Sequence, residues 1–273
     1  NGILDINAPP KASETANEFA RAEKTEKASG FVDKAAVQLS GRLSPVKPCQ
    51  ILHFRMDAEG LKEAARRRGT TITAYVLALL FMAGCAATDE CEGTFSIQVP
   101  VNMRKFHPSD TVRNFSMYCG IRLPIAAITD VGAILPEITR QLLEKTDQSA
   151  MGEMMYATEY MVKLMRYIPL FIKAPIARIV YGFLGDRIFT NTLSNLGVVD
   201  LPEAILAHVD WMDFVLGTAL TNRVSCAMVT CNRVAMLSIT KMTADPSFEE
   251  ALYRLLEADG ISPHLEGSAL YEG

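Results

Sequence analysis

The chain has 273 residues, of which 49% are hydrophobic, and its mean hydropathy is +0.14. This composition predicts a substantial buried core, arranged as one large or two small domains. The net charge of −4 and the pI of about 5.7 argue against nucleic acid as a partner, because proteins that bind it usually present a basic surface.

The six cysteines and the apolar stretches indicate the compartment. None of the cysteines belongs to a Cys-x-x-Cys pair, which favours buried free thiols in a reducing cytoplasm over a disulfide or a metal site. The longest apolar run, residues 74–87, has 14 residues, whereas a bilayer span needs about 20, so we predict a buried core helix. The sequence starts at Asn1, without an initiator methionine, and this start indicates a fragment; it also lacks a signal-peptide pattern.

The first part of the chain differs in character from the rest. Residues 1–48 are poor in core-forming side chains and contain several prolines, so we predict a linker or crossover segment followed by a domain over 49–273. A strand begins at residue 50, and Asp57 caps the helix behind it. Thr70 or Thr71 then starts the buried helix.

The middle of the chain predicts two strands and two helical stretches. Apolar residues alternate with polar or small ones over 94–101 and 114–123, the period of a half-buried strand. Helical spacing follows over 129–146, where Pro136 is expected to kink or delay the helix. A Met-rich helical stretch occupies residues 151–184 and is interrupted at Pro169 and Pro175.

Four strands and a helix are predicted in the last third. The strands cover residues 187–193, 210–217, 223–230 and 234–241, and the helix begins after Asp245-Pro246 and stops at Gly260. The resulting order is β-α-α-β-β-α-α-β-β-β-β-α. It predicts an α+β fold in which a mixed sheet is flanked by helices.

Four stretches of the chain, taken together and in this order, form a recognisable pattern. They are residues 55–83, the VPVNMRKF and RNFSMY segments, NTLSNLGVVDLPE, and DFVLG with the final hairpin and helix. This order resembles the second half of condensation-type acyltransferases of the chloramphenicol acetyltransferase-like superfamily, over residues 50–262. The alcohol acetyltransferase-like proteins are the most similar subgroup.

The resemblance implies where the chemistry is located. Members of the superfamily have two similar halves, and their catalytic His-His-x-x-x-Asp-Gly motif lies in the first. Here the four histidines are separate, and the motif is missing; they are His53, His107, His208 and His264. The resemblance therefore implies a C-terminal half with no catalytic residue of its own. Its partners would be an N-terminal half of the same protein, a small-molecule alcohol and acyl-CoA, with no permanently bound cofactor.

Four residues are candidates for a site that this half helps to form. By resemblance, Arg104 pairs with the aspartate of the missing motif and supports the site, although a solvated arginine at a strand end is the simpler reading. Ser194 and Asn195 are candidates to bind an oxyanion or the pantetheine arm of coenzyme A, and Asn114 to line the tunnel. Ordinary turn chemistry explains the same residues.

Other features leave alternatives open. Arg66, Arg67 and Arg68 either attract coenzyme A phosphates or complement a helix dipole. Residues 161–185 read as a core helix, as the wall of an acyl or alcohol channel, or as a membrane-surface segment. The alternative to an enzyme is a non-catalytic module that holds a lipid or a carrier-protein arm. If the chain is one half of an enzyme, we expect it to expose the apolar face that the missing half covers, and a homodimer can form through that face.

Overall fold

A computed structural model describes residues 9–25, 34–175, 186–217 and 222–269. Its main elements follow in chain order. They are β1 (Gln50–Asp57), α1 (Ala58–Arg67), α2 (Ile72–Ala86), β2 (Thr94–Asn102), β3 (Ser116–Pro124), α3 (Val131–Lys145), α4 (Gln148–Arg166), β4 (Asn191–Val198), α5 (Glu203–Leu206), β5 (Val224–Cys231), β6 (Val234–Lys241), α6 (Ser247–Ala258) and β7 (His264–Gly267).

The strands form one sheet in the order β3-β2-β4-β5-β6-β1-β7. Strand β4 runs parallel to both of its neighbours, and the other pairs are antiparallel. The predicted α+β fold with a mixed, helix-flanked sheet is therefore confirmed.

One face of the sheet carries the hydrophobic core. Alternate strand residues such as Phe54, Ile97 and Leu237 are fully buried there against the helices. Helix α2 is apolar on all sides and lies at the centre of the helical layer. It begins where the side chain of Thr71 accepts a hydrogen bond from the backbone nitrogen of Ala74 at 3.2 Å, as the sequence predicted.

The length of the helices bears on membrane insertion. Within the described ranges no single helix is long and apolar enough to cross a bilayer. Helices α1 and α2 together reach the required length and composition, but they are bent by 83°.

The opposite face of the sheet is more polar. The register places Ser194, Ala227, Ser238 and His53 in one row across β4, β5, β6 and β1. Both Ala227 and Ser238 are 1% exposed, so this row is covered where it crosses β5 and β6.

The strand predicted over residues 210–217 is wrong. This segment has no ladder partner and crosses the polar face through side-chain contacts instead. Arg55 stacks over Trp211 at 4.8 Å, and Thr240 Oγ1 donates to the Leu216 carbonyl at 2.9 Å. Strand β6 beneath it is already paired on both sides, by β1 and β5, so no free sheet edge is available there.

Two smaller predictions need correction, and one strand was missed. Only a short 3₁₀ turn, Asp186–Ile188, precedes β4, which begins at Asn191 and not at residue 187. Helix α3 runs through Pro136, so the proline does not delay it. The short strand β7 was not predicted.

The Met-rich stretch agrees in part with prediction. Helix α4 ends at Arg166, and a further helical segment over residues 170–175 follows the interruption at Pro169. Residues 176–185 lie outside the described ranges, and so does that part of the predicted helix.

The described parts of the first 48 residues pack on the domain. Leu39 is 4% exposed in the core, and the backbone nitrogen of Val37 donates to the Thr94 carbonyl at 3.0 Å. Thr111 Oγ1 donates to the Ala16 carbonyl at 2.8 Å. The domain boundary at residues 48 and 49 stays a prediction, but the segment before it is in contact with the domain.

All six cysteines are free thiols. Four are buried as predicted, Cys85 is half-buried and Cys91 is exposed, so the expectation of burial fails for Cys91. Burial raises the pKa of the Cys119 thiol to about 11, although the Lys145 ammonium opposes the shift.

The basic end of α1 is tied to the end of α6. The Arg68 guanidinium binds both carboxylate oxygens of Asp259, at 3.2 and 2.5 Å, and Arg67 donates to the Asp259 carbonyl at 3.0 Å. Tyr75 Oη donates to the same carboxylate at 2.5 Å. These contacts favour a structural role for the arginines over capture of phosphates.

The Asp259 carboxylate predicts a pH-dependent stability. Burial by itself raises its pKa, but the hydrogen bonds from Arg68 and Tyr75 outweigh burial and hold the pKa below its ordinary value of 3.8. A carboxylate with a depressed pKa stabilises the fold above its unfolded-state pKa, and the stabilisation is lost as the pH falls through the folded-state value.

We therefore expect Asp259→Asn to lower the free energy of unfolding by about 1–3 kcal/mol at neutral pH, and less as the pH falls below 3.8. Urea unfolding at several pH values measures the difference. Glu63→Gln is the control, because its pair with Arg66 is exposed. A difference that is the same at pH 7 and at pH 3 would contradict the role of the charge.

Candidate functional site at one end of the sheet

The candidate site lies where several strands end together. Strands β2, β4 and β5 run in the same direction, and β1 is parallel to them because β6 is antiparallel to both β5 and β1. Their carboxyl ends therefore meet at one end of the sheet. The loop between β2 and β3 lies at this end, so Arg104 and Asn114 belong to it together with the end of β4.

The Arg104 side chain bonds to backbone carbonyls of the loop between β2 and β3 and holds that loop together. Arg104 lies in the 3₁₀ turn Met103–Lys105. The backbone nitrogen of Arg104 donates to Asn102 Oδ1 at 3.1 Å. Its Nη2 donates to the carbonyls of Thr111 and Arg113, at 2.6 and 3.0 Å. Its Nε and Nη1 donate to no group in the described part of the chain. Arg104 therefore stabilises the loop through Nη2, and its Nε and Nη1 are available to a further acceptor.

Asn114 stands at the other end of the same loop. It is exposed, and its Oδ1 accepts a hydrogen bond from Ser116 Oγ at 2.6 Å. Ser116 lies opposite Asn102 in the β2–β3 register, so Asn114 is directly beside the strand end that leads into Arg104.

Ser194 and Asn195 face opposite sides of β4. Ser194 is half-buried on the polar face, in register with Ala227. Asn195 Nδ2 donates to Thr73 Oγ1 in the first turn of α2 at 3.0 Å, and its Oδ1 accepts from the Gly197 nitrogen at 2.8 Å. The structure therefore does not bring the two side chains together, and Asn195 fastens the strand end to α2.

The polar face of β2 and β4 adds two residues that the sequence analysis missed. Thr192 Oγ1 donates to Gln98 Oε1 at 3.1 Å, and the two residues are register partners. Both share a face with Ser194, since residues two apart on a strand point to the same side. That alternation was the signal available in the sequence.

Apolar side chains lie exposed around the same end of the sheet. Leu196 and Val198 on β4 and Val112 in the β2–β3 loop all have more than half of their surface exposed. A polar strand end with an apolar rim suits an acyl chain or a second protein surface better than a small ion.

His53 has a serine and an aspartate nearby, but their geometry is not that of a catalytic triad. Its Nδ1 lies 3.0 Å from Ser238 Oγ and 3.5 Å from Asp213 Oδ2. A histidine base contacts the serine with one ring nitrogen and the carboxylate with the other, whereas here both partners face Nδ1. The cluster therefore connects the 210–217 segment to the sheet.

Two surface depressions lined by described residues lie elsewhere. One has a volume of about 440 Å³ and lies between Arg68, Thr70 and Pro136. The other, of about 550 Å³, is bordered by residues 35–41, Asp89 and other side chains. Neither is lined by a histidine. In the described ranges no group of three or more His, Cys, Asp or Glu residues could hold a metal ion.

The fold is similar to that of solved acyltransferase and peptide synthetase structures. The TRI3 trichothecene 15-O-acetyltransferase from Fusarium sporotrichioides superposes with a TM-score of 0.60 and 11% identity, over 82% of this chain and 48% of that one. The epimerization domain from the third module of tyrocidine synthetase B superposes with a TM-score of 0.50 and 12% identity. This match covers 84% of this chain and 52% of that one.

A four-domain nonribosomal peptide synthetase gives a TM-score of 0.51 and 13% identity, over 83% of this chain and 18% of that one. No family model matches the chain. No curated protein matches it either. The chain spans about half the length of the acetyltransferase. It has the CoA-dependent acyltransferase and condensation-type fold that the sequence resemblance implied.

Proposed function

We propose that this chain forms the C-terminal portion of an acyl-CoA-dependent O-acyltransferase of the alcohol acetyltransferase-like kind. In this proposal it shapes the substrate tunnel, and an N-terminal half outside these 273 residues supplies the catalytic histidine. The observation that carries the proposal is the fold match to about half of an O-acetyltransferase. The polar strand end supports it, because Nε2 of His107 in the β2–β3 loop is buried and is not presented to a substrate.

The reaction sets the requirements for the site. The alcohol oxygen attacks the thioester carbonyl, the carbon–sulfur bond breaks, and the alcohol proton passes through a base to the coenzyme A thiolate. An imidazole suits the base because it titrates near neutral pH, and the tetrahedral intermediate needs a hydrogen-bond donor for its oxyanion. Both groups must face one site that excludes water.

The histidines of this chain do not meet these requirements. His53 lies three strands away from Ser194 in the same row of the sheet, where its Nδ1 faces Ser238 and Asp213. His264 is 60% exposed to water, and its Nδ1 lies 3.1 Å from Glu266 Oε1. His208 is exposed after α5. His107 Nε2 is buried without a hydrogen-bond partner in the described structure, beside the Phe115 ring. These surroundings favour a base from another part of the protein.

Arg104 and Ser194 are the residues we assign to the shared site. The Nε and Nη1 donors of Arg104 are left for the aspartate of the other half, while Nη2 holds the loop. Ser194 offers a hydroxyl on the open polar face for the oxyanion or the pantetheine arm. Thr192 lies two residues before Ser194 on the same face of β4, and Asn114 lies in the same loop as Arg104, so we assign both to the wall of the same tunnel.

The test is release of free coenzyme A thiol from acetyl-CoA in the presence of simple alcohols. We expect none from the 273-residue chain and turnover from the longest translation product that contains it. Turnover by the chain alone would refute the assignment of the base. Binding of acyl-CoA without any turnover by the longer product would favour the non-catalytic module.

We expect Arg104→Ala to reduce kcat/KM of the longer product by about 10²-fold, because loss of the Arg104 hydrogen bonds displaces the reacting groups. It should also raise hydrogen exchange in residues 106–115, where its two carbonyl acceptors lie. Arg113→Ala is the control, since it removes an exposed arginine from the same loop. Unchanged activity and exchange in Arg104→Ala would remove this residue from the site.

A further inference from the structure

The carboxyl-terminal end of α4 projects from the body of the protein. Met151 and Met155 in its first half are buried in the core. From residue 160 onward almost all side chains are exposed, on every side of the helix. The chain then turns at residues 167–169 and enters the helical segment 170–175. We refer to residues 160–175 as the knuckle.

The knuckle exposes large apolar side chains at high density. Its tip consists of Tyr167, Leu170 and Phe171, which are 88%, 75% and 77% exposed. Five further exposed apolar residues adjoin them: Tyr160, Met161, Val162, Leu164 and Ile172. Single exposed apolar residues are common on soluble proteins, whereas a dense group of them on one protrusion is typical of a surface that contacts another apolar surface.

The charge around these side chains has one sign. The knuckle, residues 160–175, contains two lysines and one arginine and no aspartate or glutamate, in a chain whose net charge is −4. The nearest acid before them, Glu159, is 8% exposed on the side of the body and pairs with Lys163 at 3.3 Å. Arg166 and Lys173 form no ion pair within the described part of the chain, so both cations are available to acidic groups on a surface that the knuckle contacts.

The combination of groups points to a lipid surface. Tyrosine and phenylalanine rings prefer the boundary between headgroups and acyl chains, and lysine and arginine next to them bind anionic headgroups. We propose that the knuckle docks this protein on an anionic membrane surface, with Tyr167, Leu170 and Phe171 inserted and the cations at the headgroups. This inference does not depend on the proposed acyl transfer.

The test is co-sedimentation of the 273-residue chain with vesicles. We expect binding to vesicles of phosphatidylcholine with phosphatidylserine, and much weaker binding to phosphatidylcholine alone. Leu170→Asp together with Phe171→Asp is expected to reduce the partition constant at least about tenfold. Arg166→Gln and Lys173→Gln should each reduce it about fivefold, which corresponds to about 1 kcal/mol for each cation at an anionic surface.

Leu143→Asp is the matched control, because Leu143 is 70% exposed and lies on α3, outside the knuckle and the candidate site. It should leave the partition constant unchanged. Circular dichroism shows whether the knuckle variants remain folded, which we expect since the changed side chains are exposed. Absence of binding to either vesicle overturns the proposal. So does concentration-dependent self-association that the aspartate variants abolish, because the knuckle would then be an interface between two copies.

Discussion

Replacing Gln141 with leucine is expected to lower the free energy of unfolding by about 2–4 kcal/mol, because the outer edge of β3 then loses its hydrogen-bond partner. Gln141 on α3 is 6% exposed. Its Oε1 accepts from the backbone nitrogen of Arg122 at 3.0 Å, and its Nε2 donates to the carbonyl of the same residue at 2.7 Å. Leucine fills a similar volume but satisfies neither group.

Lys145, also on α3, makes a further hydrogen bond to the outer edge of β3. Lys145 Nζ donates to the Gly120 carbonyl at 2.5 Å and to Gln141 Oε1 at 3.1 Å. Strand β3 is an edge of the sheet, and unpaired edges invite pairing with other chains. Gln141→Leu is therefore expected to aggregate at lower concentrations than the wild type, as well as to unfold more easily.

Urea unfolding and light scattering measure the two effects. Arg140→Leu is the matched control on the same helix. It also removes hydrogen bonds, to Glu137 and Glu144, but its side chain is 53% exposed. We expect it to change the free energy of unfolding by less than about 0.5 kcal/mol. Equal effects of the two variants would show that closure of the strand edge is not what Gln141 contributes.

The parts of the fold that the sequence predicted well depend on local signals. Apolar residues alternate along β2 and β3 because each strand has one face in the core, so their period is visible in the sequence. Helix α2 begins one residue after Thr71, a side chain whose capping bond is made within the same turn. These features require no knowledge of distant parts of the chain.

The incorrect strand over 210–217 shows where local signals fail. Its composition resembles that of a strand, but a strand also requires a neighbour with an unpaired edge. Whether β6 has a free edge depends on β1, which is more than 170 residues away in the chain, and this is not visible in local composition. Strand β7 was missed because all four of its residues are exposed. It therefore has no alternation of apolar and polar residues that the sequence could show.

The candidate site was predictable only in part. Alternation along β4 already implied that Ser194 and Asn195 point to opposite faces, and this could have been stated from the sequence. The contacts of Arg104 could not, because its acceptors are loop carbonyls of Thr111 and Arg113 whose positions no sequence pattern specifies. Side chains on regular elements are easier to place than loop geometry.

The strand end and the knuckle make separate demands on this protein. At the strand end, Arg104 bonds to its own loop and Asn195 bonds to α2, and in the proposed function a second protein surface completes the site. The knuckle is exposed and carries its own cations, and it needs only an acidic, apolar boundary. A variant in one region is therefore expected to leave the other unaffected.

The largest single loss of stability is expected from Lys241→Met, at about 3–5 kcal/mol of unfolding free energy, because it removes one partner of a buried ion pair. The Lys241 ammonium contacts the Glu249 carboxylate, and their side chains are 1% and 8% exposed. Glu249 Oε2 has no hydrogen-bond partner in the described structure. Without the lysine, this buried carboxylate has to remain charged without a partner or take up a proton.

The double variant with Lys241→Met and Glu249→Leu is expected to recover most of this loss, since apolar side chains of similar volume replace a buried pair at little cost. A double-mutant cycle by urea unfolding measures the coupling. Arg254→Met is the control on α6, because its pair with Glu250 is exposed, at 74% and 54%, and should contribute less than about 0.5 kcal/mol. If the double variant is as unstable as Lys241→Met alone, the unpaired charge is not the cause of the loss.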